Sequence, residues 1–268
     1  MLRLPAVSGR FYPANPEELT QLVRQYSAPD PLTALQRVTA CLVPHAGYVY
    51  SGHVAGAVFS KILLPQKIIV LGVRHLPRGK PAAILCSGAW RTPLGDVPID
   101  EPLGQSLLKQ CPILHEDSLA HLTEHSLEVQ LPFLQVLAPN FSFVPIALGT
   151  IHFDELVAIG EAIAAILRAH TEILLLTTSD LNHYQDDRTT RAKDKKAIDR
   201  LLALDARGLY DVCRNEEISM CGLGPAVAML TALRSLNATQ TNLVRYATSA
   251  DVSGDTSTVV GYAGLIFA

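Results

Sequence analysis

Charged and aromatic residues are both scarce in this chain of 268 residues. Only 18% of the residues are charged and 6% are aromatic, whereas 49% are hydrophobic. A disordered chain needs low hydrophobicity and high charge, so this composition predicts a folded protein. The 22 basic residues fall short of the 25 acidic ones, which gives a net charge of −3. A nucleic-acid-binding face needs an excess of basic residues, so the sequence argues against that class of protein.

The sequence also lacks paired cysteines and long hydrophobic runs. Its five cysteines are an odd number and include no CxxC pair, which argues against a disulfide framework. One of the longest apolar runs, at 68–73, is far shorter than the ~20 residues of a membrane span. The first residues show no apolar stretch typical of a signal peptide. We therefore expect a cytoplasmic protein with reduced thiols and no membrane association.

Common catalytic motifs are missing as well. The chain contains no G-x-S-x-G, H-E-x-x-H or Walker phosphate-binding motif. Cys221 precedes the run Gly222-Leu223-Gly224-Pro225, which lacks the third glycine and the preceding strand of a dinucleotide fingerprint. A helix that starts near Gly222 is a sufficient explanation for this run.

Short apolar runs alternate with helical patterns along the chain. Strands are predicted at 38–43, 67–73, 172–178 and 242–248, and further strands near 82–87, 141–148 and 257–267. Helices are predicted at 123–138, 154–169, 189–204 and 223–236, after a first helix capped by Asn15 and a second that Ser51 could cap. This alternation predicts one α/β domain over 1–268, in which a mixed, largely parallel sheet lies between two layers of helices.

Polar side chains follow four of the predicted strands. His45 and His75 follow the first two, Asp180 and His183 follow the third, and Asp251 follows the fourth. In open α/β sheets, ligands bind beyond the carboxyl ends of the strands, so these side chains converge if the four strands are parallel neighbours. Two histidines and one carboxylate on one face suit non-haem Fe(II) chemistry. Each of these residues, taken alone, is more often a capping or surface residue, and only their recurrence at four strand ends favours a site.

Six segments of the chain resemble the Memo family, which includes the animal mediator of cell motility. They are PAVSGRFYP near the start, VPHAGYVYSG at 43–52, LGVRH at 71–75, TEHSLEVQLPFL at 123–134, TTSDLNHY at 177–184 and SADVSGDTSTVVGYAG at 249–264. The resemblance implies a fold similar to the class III extradiol (LigB-type) dioxygenases, with a metal-competent pocket. On this match His45 and His75 correspond to the two pocket histidines, and Asp180 and His183 lie on the SD-x-x-H segment.

Two positions depart from the family pattern. The animal member has a cysteine as its third pocket ligand, and our alignment of the tail places Asp251 there. A carboxylate at this position favours Fe(II) or Mn(II), with copper, zinc or no metal as the alternatives. Arg74 stands directly before His75, where the family pattern predicts a small or polar residue. Its charge would either repel a metal ion or anchor an anionic substrate.

The resemblance also suggests further pocket residues. His125 is implied to bind substrate or to support the pocket, unless it only satisfies backbone groups at the start of a helix. Tyr48 and Ser51 follow His45 and are expected to line the pocket, unless Ser51 only caps a helix.

Three functions remain open from the sequence. A mononuclear metal site would support oxygen-dependent or other redox chemistry, with His183 as a proton shuttle whose tautomer is set by Asp180. A vestigial site would instead bind a small molecule or a peptide without turnover. Metal-assisted hydrolysis would use the same ligands to activate water. The resemblance adds an association of microbial members with a radical-SAM protein and an AMMECR1-like protein.

Overall fold

The computed structural model describes residues 1–29, 34–138, 140–150 and 152–268. This part of the chain forms twelve strands and nine α-helices. The strands are β1 (Leu2–Arg3), β2 (Ala40–Val43), β3 (Lys67–Val73), β4 (Ala82–Ile84), β5 (Ala89–Thr92), β6 (Gly95–Pro98), β7 (His115–Glu116), β8 (Ser142–Leu148), β9 (Leu174–Thr178), β10 (His183–Gln185), β11 (Thr241–Thr248) and β12 (Val259–Phe267). The helices are α1 (Pro16–Tyr26), α2 (Tyr48–Phe59), α3 (Glu101–Gln110), α4 (Leu131–Leu137), α5 (Phe153–Ala169), α6 (Asp187–Leu202), α7 (Ala206–Asn215), α8 (Leu223–Ser235) and α9 (Ala250–Ser253).

A mixed sheet forms the middle of the fold. Its strands lie in the order β10-β12-β2-β9-β3-β8-β4-β7, and β11 pairs with β12. The central strands β2, β9, β3 and β8 are parallel to one another, whereas β12 and β4 run antiparallel to their neighbours β2 and β8. A second, three-stranded sheet has the order β1-β5-β6.

Both faces of the central strands are buried, which explains why their sequences are apolar at almost every position. Alternate side chains enter two different cores, as Ile69 and Leu71 of β3 join one and Ile68 and Val70 join the other. The first core is covered by α3, α5, α6, α7 and α8, and the second by α1, α2, α4 and the small sheet. The predicted three-layer α/β fold is therefore confirmed. None of the helices in the described ranges is both long enough and apolar enough to cross a membrane.

Most of the predicted elements are present, and one helix is much shorter than predicted. Asn15 caps α1, because its side chain accepts hydrogen bonds from the backbone N–H groups of Glu17 and Glu18. The predicted helix at 123–138 is wrong in its first part, since a 3₁₀ turn at Glu128–Gln130 leads into α4. The segment before it follows β3 instead, because the Ser126 hydroxyl bonds both the N–H and the carbonyl of Val73.

The parallel strands bring three connecting loops to one end of the sheet. The loops after β2, β9 and β3 are neighbours, since these strands are adjacent and point in the same direction. The loop after β11 is not one of them. β12 lies between β11 and β2 and pairs with both, so the fourth predicted strand is separated from the other three.

Candidate metal centre

His45 follows β2 and is fixed by two hydrogen bonds. Its backbone N–H donates to Oδ1 of Asp180 at 2.8 Å, and its Nδ1 lies 2.8 Å from the hydroxyl of Thr178 at the end of β9. This bond engages Nδ1 and leaves Nε2 to face the space beyond the sheet. Burial, followed by the nearby His75, lowers the pKa of His45 to about 3. The ring is therefore neutral near pH 7, as a metal-binding imidazole must be.

His75 follows β3 and is held by one carboxylate. The backbone N–H of His75 donates to Oε2 of Glu124, and its Nδ1–H donates to Oε1, each at 2.8 Å. Burial opposes ionisation of Glu124, but the hydrogen bond and charge of His75 outweigh it and lower the pKa of Glu124 to about 2. A carboxylate on one ring nitrogen, with the other nitrogen free, is the usual arrangement of a metal-binding histidine.

Cys221 supplies a third donor atom to this space. It stands before α8, and its Sγ lies 3.1 Å from Nε2 of His45. One ring nitrogen of His45, one of His75 and the Sγ of Cys221 all lie within 4.8 Å of one another, close enough to hold a metal ion. Burial, together with the charge of Asp180, raises the pKa of the thiol well above its usual range. Without a cation, Cys221 is a neutral thiol whose Sγ is within hydrogen-bond distance of Nε2 of His45.

A second group of possible donors consists of His75, Glu124 and His125. The rings of His75 and His125 are stacked 4.5 Å apart and tilted by only 18°. An ion between two stacked rings cannot lie in both ring planes, where the nitrogen lone pairs point. Both oxygens of Glu124 are also already engaged, by His75 and by the N–H of Ser126. We therefore interpret this group as the support that orients His75.

The three donors open into a cavity of about 610 Å³. Four histidines, one carboxylate, one thiol and several aromatic rings share its wall, and no lysine or arginine is among the described lining residues. The lining consists of Phe11, His45, Ala46, Gly47, His75, His125, Asp180, His183, Tyr184, Ser219, Cys221, Val260 and Tyr262. The cavity is large enough for a small organic molecule or a single side chain of a peptide.

The sequence matches a known protein family over almost its whole length. A model of the family described as "Memo-like protein" matches residues 3–266. The chain belongs to this family. A MEMO1 family protein of Methanopyrus kandleri is 38% identical over 281 residues, covering 100% of this chain and 99% of the relative. A MEMO1 family protein of Aquifex aeolicus is 39% identical over 267 residues, covering 99% of both chains.

One solved structure supports the same fold. The crystal structure of an uncharacterised protein from Escherichia coli K12 aligns with a TM-score of 0.54 at 15% sequence identity. The alignment covers 84% of this Memo-like chain and 99% of the other. At such low identity the similarity extends to the fold alone.

The prediction that Asp251 is the third ligand of this Memo-like protein needs correction. Asp251 lies in α9, where its carboxylate pairs with Arg191 at 3.0 Å and accepts the N–H of Thr248 at 2.7 Å. Because β12 separates β11 from β2, this carboxylate is absent from the groups of described residues that could hold a metal. Cys221 is the third possible donor beside His45 and His75 instead. The resemblance contained a signal for this position, since it implies a cysteine as the third pocket ligand.

The loop that contains Asp180 and His183 also differs from its prediction. Both side chains line the cavity, but His183 begins β10 and the segment between them is not helical. The Nδ1–H of His183 donates to the carbonyl of Ser219 at 2.9 Å, so Asp180 does not set its tautomer. The carboxylate of Asp180 instead accepts a hydrogen bond from the backbone N–H of His45. Burial raises the pKa of this carboxyl group.

His125 lies in the wall of the cavity, as the resemblance suggested. Its ring packs at 4.9 Å from that of Phe11 and at 5.5 Å from that of His45. Burial, followed by the nearby His45, lowers the pKa of His125 to about 4. His125 is therefore a neutral hydrogen-bonding group on the wall near pH 7.

Tyr48 and Ser51 do not line the cavity. The Tyr48 side chain enters the core below α2, where its hydroxyl donates to the carbonyl of Val129 at 2.6 Å. The Ser51 hydroxyl donates to the carbonyl of Ala46 from within α2, and the helix begins after Gly47 without a side-chain cap. Both residues lie on helical turns that face the protein interior, so their closeness to His45 in sequence was misleading.

Arg74 also points away from the cavity. Its guanidinium donates to the carbonyl of Gly79 at 2.8 Å and to that of Arg78 at 3.3 Å. The side chain therefore closes the loop that follows β3. Neither of the two roles predicted for its charge fits this position.

Proposed function

We propose that this protein binds one transition-metal ion through Nε2 of His45, Nε2 of His75 and Sγ of Cys221. The ion would serve redox chemistry on a small molecule held in the 610 Å³ cavity. The single observation that carries the proposal is the convergence of these three donors within 4.8 Å, with both Nδ1 atoms already engaged elsewhere.

The residues present fit a metal ion of intermediate or soft character. The pKa of His45 is lowered by its burial, so no proton has to be removed from its ring on binding. Cys221 would lose its proton on binding, and the N–H of Asp180, which lies 3.3 Å from Sγ, would stabilise the thiolate. A thiolate with two imidazoles suits copper, zinc or Fe(II). The expectation of Mn(II) depended on the carboxylate of Asp251 and is no longer favoured.

A copper or iron ion at this position would supply electron transfer to a bound ligand. The protein would supply the cavity wall and the groups that bind the ligand and transfer protons. Phe11 and Tyr262 cover part of the cavity wall, and His183 presents a ring nitrogen for proton transfer. His125, which also lines the cavity, would hold a ligand by a hydrogen bond.

The proposal is tested by anaerobic reconstitution of the full chain with Cu(I), Fe(II) and Zn(II) in turn, followed by oxygen uptake in the presence of candidate reductants. Wild type should bind one equivalent, and Cys221→Ser should lose at least about tenfold in affinity for the soft metals. Asp251→Asn is the matched control and should bind like wild type. Equal loss in both variants, or no binding by wild type below about millimolar concentration, would contradict the proposal.

One observation favours a second function, ligand binding without turnover. The thiol of Cys221 and Nε2 of His45 satisfy each other by a hydrogen bond, so the pocket needs no ion to be stable. If wild type binds no metal, the cavity is better interpreted as a binding site for a small molecule or peptide side chain.

A further inference from the structure

Asn182 occupies a central position between the two loops that complete the cavity. It lies between Asp180 and His183 in sequence and is almost fully buried. Its backbone N–H donates to Asp194 of α6 at 2.8 Å, and its carbonyl accepts the N–H of Gly261 at 3.0 Å. Its side-chain NH₂ donates to Gln185 and to Thr190. These contacts leave the side chain no freedom to rotate.

The remaining atom of Asn182 holds the segment that leads to Cys221. Oδ1 of Asn182 accepts both the N–H and the hydroxyl of Ser219, each at 3.2 Å. Ser219 in turn contacts His183 twice, because its hydroxyl accepts the N–H of His183 at 2.8 Å and its carbonyl lies 2.9 Å from Nδ1. Asn182 therefore determines where the carbonyl of Ser219 stands relative to the ring of His183.

A carbonyl oxygen can only accept a hydrogen bond, so Nδ1 of His183 must carry a proton in this geometry. In the neutral ring the other nitrogen, Nε2, is then a proton acceptor. We infer that Asn182 is a positioning residue that fixes His183 in the Nδ1-protonated tautomer and thereby presents Nε2 to the cavity as a base. This inference rests on the proposed function, since it assigns His183 its direction of proton transfer there.

The orientation of Tyr184 agrees with a loop held in one conformation. Tyr184 has a φ of 61°, in the left-handed region that residues other than glycine seldom adopt, and its ring stands at the mouth of the cavity. The pairing of β10 with β12 shifts register between His183 and Gln185. Surrounding contacts must maintain such a conformation, and the hydrogen bonds of Asn182 lie in the same loop.

The tautomer is measured directly by ¹⁵N NMR of the full chain labelled at histidine, with His183 assigned from a His183→Gln variant. In the neutral form of the ring, wild-type His183 should carry its proton on Nδ1. Asn182→Ala should lower the ratio of the Nδ1–H to the Nε2–H tautomer by about three- to tenfold, the effect of weakening one hydrogen bond. Gln185→Ala is the matched control, because it removes one contact of Asn182 but leaves those to Ser219, and it should keep the wild-type ratio.

Each outcome decides the inference. A wild-type His183 that carries its proton on Nε2, or a folded Asn182→Ala protein with the wild-type ratio, would overturn it. If Asn182→Ala does not fold, Ser219→Ala takes its place, because it removes the hydroxyl from both Asn182 and His183. An unchanged ratio in that variant would also overturn the inference. The tautomer is read on metal-free protein, so failure of metal binding would refute the proposed function without affecting this result.

Discussion

The Sγ atom of Cys221 lies 3.1 Å from Nε2 of His45, although 176 residues separate them in sequence. The contact joins the end of a central strand to the segment before α8. With His75 it creates a donor set of two imidazoles and one thiol at the carboxyl end of the parallel strands. Open α/β sheets bind their ligands at this end of the strands, and the proposed metal chemistry is placed there.

The first prediction concerns the carboxylate that holds His75. Glu124→Gln retains the size of the side chain but removes its charge and one of the two acceptors for His75. Metal affinity should fall by about 10- to 100-fold, because partners behind a ligand orient it and raise its basicity. Competitive metal titration measures the change, and the exposed Glu116→Gln is the control. Unchanged affinity in Glu124→Gln would show that His75 is not a ligand.

The second prediction concerns a buried ion pair between Arg3 and Glu128. Glu128 also accepts hydrogen bonds from the hydroxyl of Tyr12 and from the N–H groups of Ala6 and Val7. Glu128→Gln leaves the buried Arg3 cation without an anion, so the free energy of unfolding should fall by about 3–5 kcal/mol.

Urea unfolding followed by circular dichroism measures this change. Asp96→Asn is the control, because it breaks an ion pair with Arg91 in which both side chains are exposed. The control should have a much smaller effect. Equal effects in the two variants would show that the N-terminal segment is not held by Glu128.

The third prediction concerns the pH dependence of stability. Burial, together with the nearby charge of Arg3, lowers the pKa of His121 to about 4, against about 6.5 for an unfolded chain. Between these two values the unfolded chain takes up a proton that the folded state excludes. Stability is therefore present above pH 6.5 and is lost as the pH falls from there towards 4.

His121→Phe removes this proton uptake. Between pH 7 and pH 5 wild type should lose about 2 kcal/mol more of its unfolding free energy than the variant does. Urea unfolding at both pH values provides the comparison, and His170→Phe, at an exposed position, should follow wild type. Parallel losses in wild type and His121→Phe would mean that His121 titrates normally.

The sequence predicts those elements best whose side chains are all buried. β3 has the predicted bounds of 67–73, because every residue after Lys67 is apolar and buried. The helix predicted at 123–138 is wrong at 123–127, where the segment is bound to β3 and His75 through Ser126 and Glu124. The conformation of such a segment is determined by contacts between distant parts of the chain. The local sequence pattern carries no information about those contacts.

The candidate site was predictable only in part for the same reason. His45 and His75 follow neighbouring parallel strands, so strand ends were a sufficient guide to them. Asp251 follows a strand too, but the antiparallel β12 separates that strand from β2. Cys221 precedes a helix and follows no strand, so a search of strand ends could not find it. The order of strands in the sheet determines whether Asp251 or Cys221 lies beside the two histidines. That order cannot be read from the sequence.

X-ray absorption spectroscopy of the zinc-loaded protein tests the central claim most directly, because it counts sulfur among the atoms bound to the metal. The account predicts one sulfur at about 2.3 Å and two histidine nitrogens at about 2.0–2.1 Å in wild type. The sulfur should be absent from the Cys221→Ser variant and retained in Asp251→Asn. A wild-type spectrum with only nitrogen and oxygen around zinc, or loss of the sulfur in Asp251→Asn, would contradict the assignment of His45, His75 and Cys221 as the metal centre.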